Sequence, residues 1–122
     1  MLVAFWIVSG LVALVFLAAG IMKLARPKEA LAASGLAWTE DFPEPTVKLI
    51  GAAEVLGAIG IVLPALTGIA PILSPIAASA LALVMIGAIV VHSRRNENPI
   101  VNIVLLILAG ASAVLGFAAL LG

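Results

Sequence analysis

The stretch Val47–Leu63, VKLIGAAEVLGAIGIVL, is long and apolar enough to cross a bilayer, yet it carries Glu54 in its interior. A carboxylate at such a depth is costly, and in membrane helices it normally faces the protein interior and finds a partner. At helical spacing its own face holds Ile50, Gly51, Ala58 and Ile61. Gly51 and Ala58 are small, so a neighbouring helix can come close on either side of the carboxyl. The rest of the chain has to supply a partner for that carboxylate and a set of helices that hides it.

The composition agrees with a membrane setting. Hydrophobic residues make up 65% of the 122 positions and charged residues 10%, against about 45–50% and about 25% in soluble domains. The length fits one domain, 1–122. There is no Cys, which removes disulfides, thiolate metal sites and any redox cycle that runs through a dithiol. The first stretch, MLVAFWIVSGLVALVFLAAG, has no basic residue ahead of its apolar core and is too long for a signal-peptide core. It reads as a retained transmembrane helix.

Four spans follow, at about 2–26, 46–63, 75–92 and 99–121. The first is stopped by Pro27, and Phe5 and Trp6 at its start suit an interfacial aromatic belt. The second opens on Glu44-Pro45-Thr46 and is expected to end at Pro64. Ser74-Pro75 reads as N-cap and first residue of the third, and Asn98-Pro99 repeats that start for the fourth. Short second and third connections make the expected fold all-α: an antiparallel bundle of four transmembrane helices. Between the first two helices, PKEALAASGLAWTEDFPEP forms the one sizeable connector, with a short helix over Lys28–Ser34 ended by Gly35. Leu36, Trp38 and Phe42 lie there among Glu40, Asp41 and Glu44, an amphipathic mixture suited to the bilayer surface or to folding over the helices. Trp38 and Phe42 are candidate lid residues; the plainer reading is a connector with an interfacial anchor.

All six Lys and Arg residues sit at the first and third connections. The positive-inside rule then places loops 27–45 and 93–98 in the cytoplasm and both termini outside. Glu54 lies roughly 12 Å inward from Thr46 at about 1.5 Å per residue. Helical side chains lean toward their own N-terminus. In antiparallel helices this carries Lys23 and His92 inward, and Glu54 and Asn102 back toward the cytoplasm. Lys23, Glu54, His92 and Asn102 therefore converge on one layer, while Lys48 leans outward and is expected to snorkel to the headgroups. Taken singly, Lys23 and His92 also read as interfacial anchors and Asn102 as a helix–helix hydrogen bond. A single His and a single buried Glu are too few for a metal site. No nucleophile–base set, phosphate loop or dinucleotide motif is present. No basic arm points to nucleic acid.

The blocks FLAAGIMKLARP (Phe16–Pro27), VKLIGAAEVLGAIGIVLP (Val47–Pro64) and AASALALVMIGAIVVH (Ala77–His92) resemble, in order, the DoxX-like family of small four-helix membrane proteins. The resemblance implies a four-helix membrane bundle with polar residues at the positions of Lys23, Glu54 and His92. The family takes its name from a subunit of an archaeal thiosulfate:quinone oxidoreductase, and its relatives include proteins of oxidative-stress complexes and chaperones of membrane receptors. For this chain it implies a fold more than a reaction.

Two functional readings follow. In the first, the polar layer binds an apolar molecule with a polar head, a quinone or a lipid, or the chain serves as accessory subunit of a membrane redox complex. In the second, the chain is a non-catalytic assembly or chaperone subunit whose Glu54–Lys23 pair is structural, with Ala53/Gly57 and Ala109/Ala113 as close-packing pairs for partner helices or a homodimer. Transmembrane proton transport is disfavoured, because beyond the polar layer only Ser9, Ser74, Ser79 and Ser112 could continue a path.

Overall fold

The computed structural model describes residues 1–121 and is all-helical over them. Helix α1 spans Leu2–Ala25, α2 Lys28–Ala33, α3 Glu44–Thr67, α4 Leu73–Arg94 and α5 Ile100–Leu121, with a 3₁₀ turn at Ala37–Asp41 between α2 and α3. The four long helices, α1, α3, α4 and α5, are each long and apolar enough to cross a membrane. Their outward faces carry leucine, isoleucine and valine, as lipid contact requires.

Several helix ends follow the sequence signals closely. Pro27 closes α1, and Gly35, with φ of 108°, takes the left-handed conformation that ends the α2 region. The Asn98 side-chain oxygen accepts the Ile100 N–H at 3.0 Å, so Asn98 caps α5. The end of α3 does not follow them. The helix runs through Pro64 to Thr67 and stops at Gly68, whose φ is 72° and whose N–H returns to the Pro64 carbonyl at 3.0 Å. At Pro64, Gly60, four residues earlier, has no side chain to add to the crowding by the proline ring. Separately, the carbonyl of Ile61 receives the Ser74 hydroxyl at 2.7 Å. Ser74 is thereby not an N-cap: α4 already begins at Leu73, and the serine is spent on the neighbouring helix.

The long helices are antiparallel, as their contacts show. Lys23 near the end of α1 meets Glu54 early in α3, and Asn102 early in α5 meets Met85 late in α4. Packing is most extensive within two pairs, α1 with α3 and α4 with α5. The pairs meet each other toward the end that holds both termini. There the Ser9 and Ser112 hydroxyls lie 2.7 Å apart, Gly116 fits against Phe5 and Pro75, and Gly57 and Gly60 fit against Leu81 and Ala77. The core of Val12, Phe16, Ala58, Ile61, Ala78, Leu81 and Ala109 fills the middle. Gly57, Ala109 and Ala113 thus pack inside this chain rather than against a partner helix, whereas Ala53, the other residue of the expected close-packing pairs, is exposed.

The tightest crossing is between α1 and α3 at Gly20 and Gly51. A Cβ on Gly20 would lie 2.6 Å from the Gly51 carbonyl oxygen, and one on Gly51 would lie 2.9 Å from that of Gly20. Gly20→Ala is expected to force the helices apart and cost about 1–3 kcal/mol. Gly10→Ala, whose added methyl meets no neighbouring helix within 4 Å, should unfold in detergent micelles no more easily than wild type. Equal behaviour of the two variants would overturn this account of the crossing.

Candidate polar site between the helix pairs

Lys23 and Glu54 each stand three residues after a crossing glycine, in Gly20-Ile21-Met22-Lys23 and Gly51-Ala52-Ala53-Glu54. The close approach of the backbones therefore sets both side chains at one level. Lys23 Nζ lies 2.7 Å from Glu54 Oε1, and the two residues are only 7% and 2% exposed. The contact is a charge pair at hydrogen-bonding distance with the ammonium as donor, and among the described residues no neutral donor is directed at Oε1. An ionised carboxylate has about four lone-pair sites, so beside Lys23 it can still accept from a further donor that reaches it.

A cavity of about 680 Å³ opens beside this pair, within the range of about 300–1,000 Å³ usual for small-molecule sites. Its wall is mostly apolar, with Lys23, Glu54, His92 and Asn102 as polar side chains from all four long helices and Asn98 just ahead of α5. The structure thus brings the four residues of the expected polar layer onto one cavity, and Trp38 and Phe42 line it as well. Lys23 Nζ sits 5.9 Å from the Trp38 ring centroid, within cation–π range, and Phe42 meets Trp38 edge-on at 5.7 Å. A second concavity, about 450 Å³ between Gly10, Ala13, Leu14 and Leu17 of α1 and Ala58, Ile59, Val62 and Leu63 of α3, is wholly apolar and faces the lipid. It has nothing with which to select a polar head.

Not all of the layer is mutually bonded. His92 borders the cavity, but its Nδ1 pairs at 2.9 Å with Glu97 Oε1 rather than with Glu54. Glu97 in turn accepts from Arg95 Nε at 3.1 Å, and Arg95 Nη1 reaches Asp41 at 2.8 Å. Hydrogen bonds to Asp41 and then Glu97 raise the Arg95 pKa above its already high ordinary value, so the guanidinium is a permanent cation at the hub. This chain of contacts ties the Ala37–Asp41 turn to the far end of α4. Sequence reasoning missed it, because pairing across two loops leaves no periodic trace. Asn102 donates a long contact of 3.7 Å to Met85 Sδ, which leaves most of its amide capacity to the cavity.

Lys48 departs from its expected place. Its Nζ donates to the carbonyl oxygens of Lys23 at 2.7 Å, Leu24 at 3.2 Å and Arg26. The reason is the end of α1: its last carbonyls lack intrahelical partners and carry the negative pole of the helix. An ammonium one crossing away satisfies them better than a headgroup does.

Removing one member of the buried pair strands the other. Lys23→Met alone is expected to cost about 3–5 kcal/mol, and Lys23→Met combined with Glu54→Gln should recover much of that loss. Unfolding of the single and double variants in micelles measures it; an additive double variant would mean that the two charges are not coupled.

A sequence model of the DoxX-like family matches residues 7–120, which include nearly all of the four long helices. Comparison with curated proteins and with solved structures gave no match. The four membrane-length helices and this match over almost the whole chain establish the protein as a multi-pass membrane protein that belongs to the DoxX-like family.

Proposed function

We propose that the cavity binds a membrane-soluble molecule with a polar head, of the quinone or lipid kind, and that Glu54, Lys23 and Asn102 hold the head. The observation that carries this reading is the buried Glu54–Lys23 pair, with Asn102 on the same cavity, set in the wall of an otherwise mostly apolar space. A hydroxyl on the ligand would donate to Oε1. A carbonyl on the ligand would accept from the Lys23 ammonium or the Asn102 amide. His92 would border the head without anchoring it, its ring being engaged by Glu97. Trp38 and Phe42 would cover the ligand as a lid. The same chemistry suits a free-standing binding protein or an accessory subunit that presents such a molecule to a membrane redox complex.

Native mass spectrometry of gently solubilised wild type beside Glu54→Gln and Asn102→Leu tests the proposal. A discrete adduct in wild type, lost or weakened in both variants while they remain folded, is the expected result. An adduct that survives both substitutions would sink it.

One observation favours a second reading. The ion pair sits at the glycine crossing and so fixes the register of α1 on α3 without any ligand. An assembly subunit, alone or as a homodimer, would need only that. Absence of any adduct, together with a shifted oligomer distribution in Glu54→Gln, would support it instead.

The orientation proposed from the charge pattern places residues 27–45 and 93–98 in the cytoplasm and both termini outside. Because the chain has no Cys, single cysteines report topology directly. Ser34→Cys should react with an impermeant maleimide only after the membrane is opened in right-side-out vesicles, and Gly68→Cys should react before. The reverse pattern would invert the assignment.

A further inference from the structure

Three features of the cavity bear on what enters it and by which way: its roof, its side wall and its charge. The roof over its loop end is covered by Trp38 and Phe42. It is held down by the Asp41–Arg95 pair and by Thr39, which is fully buried and bonded to the Leu36 carbonyl at 2.8 Å. Gly35 and Asn98 line the cavity at this same end and are exposed, so an apolar chain leaving there would run into water.

The side wall is different. On α1, Leu24 faces α3 at the Gly51 crossing, and Val15, Ala19 and Met22 project to the opposite side at about 100° per residue. On α5, Val101, Leu105 and Ser112 form one stripe at spacings of four and seven. Ser112 touches Ser9, so the stripe faces α1. At Ser112 the two helices are in contact. At Val101 and Leu105, opposite Val15, Ala19 and Met22, the cavity lies between them instead. Val15 and Val101 line the cavity and are nonetheless 40% and 67% exposed, which places them at its rim on the membrane face.

The polar layer is balanced in charge. The Lys23 ammonium is matched by Glu54, and His92 is engaged by Glu97. A phosphate head would bring further negative charge against Glu54 with no free cation to receive it. A neutral hydroxyl adds no charge, and it can donate to the Glu54 carboxylate and accept from Lys23 or Asn102.

From these features we infer that the cavity is entered sideways from the bilayer, through the gap between α1 and α5. Its ligand is a neutral amphiphile with a hydroxyl head and one long apolar chain. The head lies against Glu54, and the chain leaves between Val15 and Val101 into the lipid. This rests on the binding reading above and specifies the route and the class of head.

The test uses the full chain in phosphatidylcholine vesicles, with Trp6→Phe so that Trp38 is the sole tryptophan. The probe is octadecanol brominated in its chain, which quenches Trp38 on binding; chain-brominated phosphatidic acid is the anionic comparison. Saturable quenching by the alcohol and weaker quenching by the phosphatidic acid are expected. Val101→Phe, alone and with Val15→Phe, should slow the alcohol's exchange by about tenfold for the pair. Both sites are exposed enough to accept the larger ring. Glu54→Gln should abolish the saturable component.

If Glu54→Gln binds as wild type does, the binding reading itself fails. If Glu54→Gln loses binding but the Phe variants exchange at the wild-type rate, only the lateral route fails. Tighter binding of the phosphatidic acid would overturn the neutral head. Gly87 of α4 is also exposed and lines the cavity on another side; greater slowing by Gly87→Phe than by the α1–α5 pair would move the entry there and overturn the proposed gap.

Discussion

The crossing of α1 over α3 at Gly20 and Gly51 is the constraint on which the rest of the molecule depends. Two backbones without side chains between them come close enough that Lys23 and Glu54, each three residues on, have to meet. Burying two charges is unfavourable unless each finds the other. The crossing supplies that partner at fixed geometry, so the cost of desolvation is offset by Coulomb attraction in a poorly screened site. Lys48 reinforces the same junction from outside by holding the last carbonyls of α1. A register slip of a single residue would rotate one charge toward lipid and leave the other alone.

Once α1 and α3 are held this way, the remaining architecture follows from how two pairs meet. Near the termini, small residues and hydroxyls let them touch: Gly57 under Leu81, Gly60 against Ala77, Ser9 against Ser112. Near the connectors, Lys23, His92 and Asn102 line the space between the pairs, and polar groups of this size cannot interdigitate as a dry core does. The pairs diverge there and a cavity results. The connector closes over it because Leu31 and Thr39 are fully buried, and Arg95 ties the turn to α4.

Much of this was legible in the sequence, and the parts that were not share a cause. The four spans, the short helix at Lys28, the Asn98 cap and the presence of Lys23, Glu54, His92 and Asn102 on one layer all follow from local pattern or from the lean of helical side chains. Those signals travel along one helix and need no knowledge of its neighbour. The misreadings came where a residue is satisfied by a different element. Pro64 reads as a stop, but α3 continues to Thr67, and Ser74 of α4 donates to the Ile61 carbonyl of α3. Ser74 then reads as a cap and is not one. Lys48 reads as a snorkelling cation and instead serves the end of α1. The Asp41–Arg95–Glu97–His92 chain joins two loops, and no spacing in the sequence announces it.

The distribution of hydrogen bonds gives the polar layer its character. On the terminal side every described serine hydroxyl of the long helices near the core is already engaged: Ser9 with Ser112, Ser74 with the Ile61 carbonyl, and Ser79 with the Pro75 carbonyl at 2.8 Å. A hydroxyl committed to helix packing is a poor link in a chain of proton donors and acceptors. On the connector side the situation reverses, since among the described residues Lys23 alone reaches Glu54 Oε1 and Asn102 retains amide capacity. Unmet hydrogen-bonding capacity thus lies at one depth and on one side of the core, bounded by apolar packing beyond. That arrangement suits a site that receives a head group and holds it, and it gives little to a path that has to continue across the membrane.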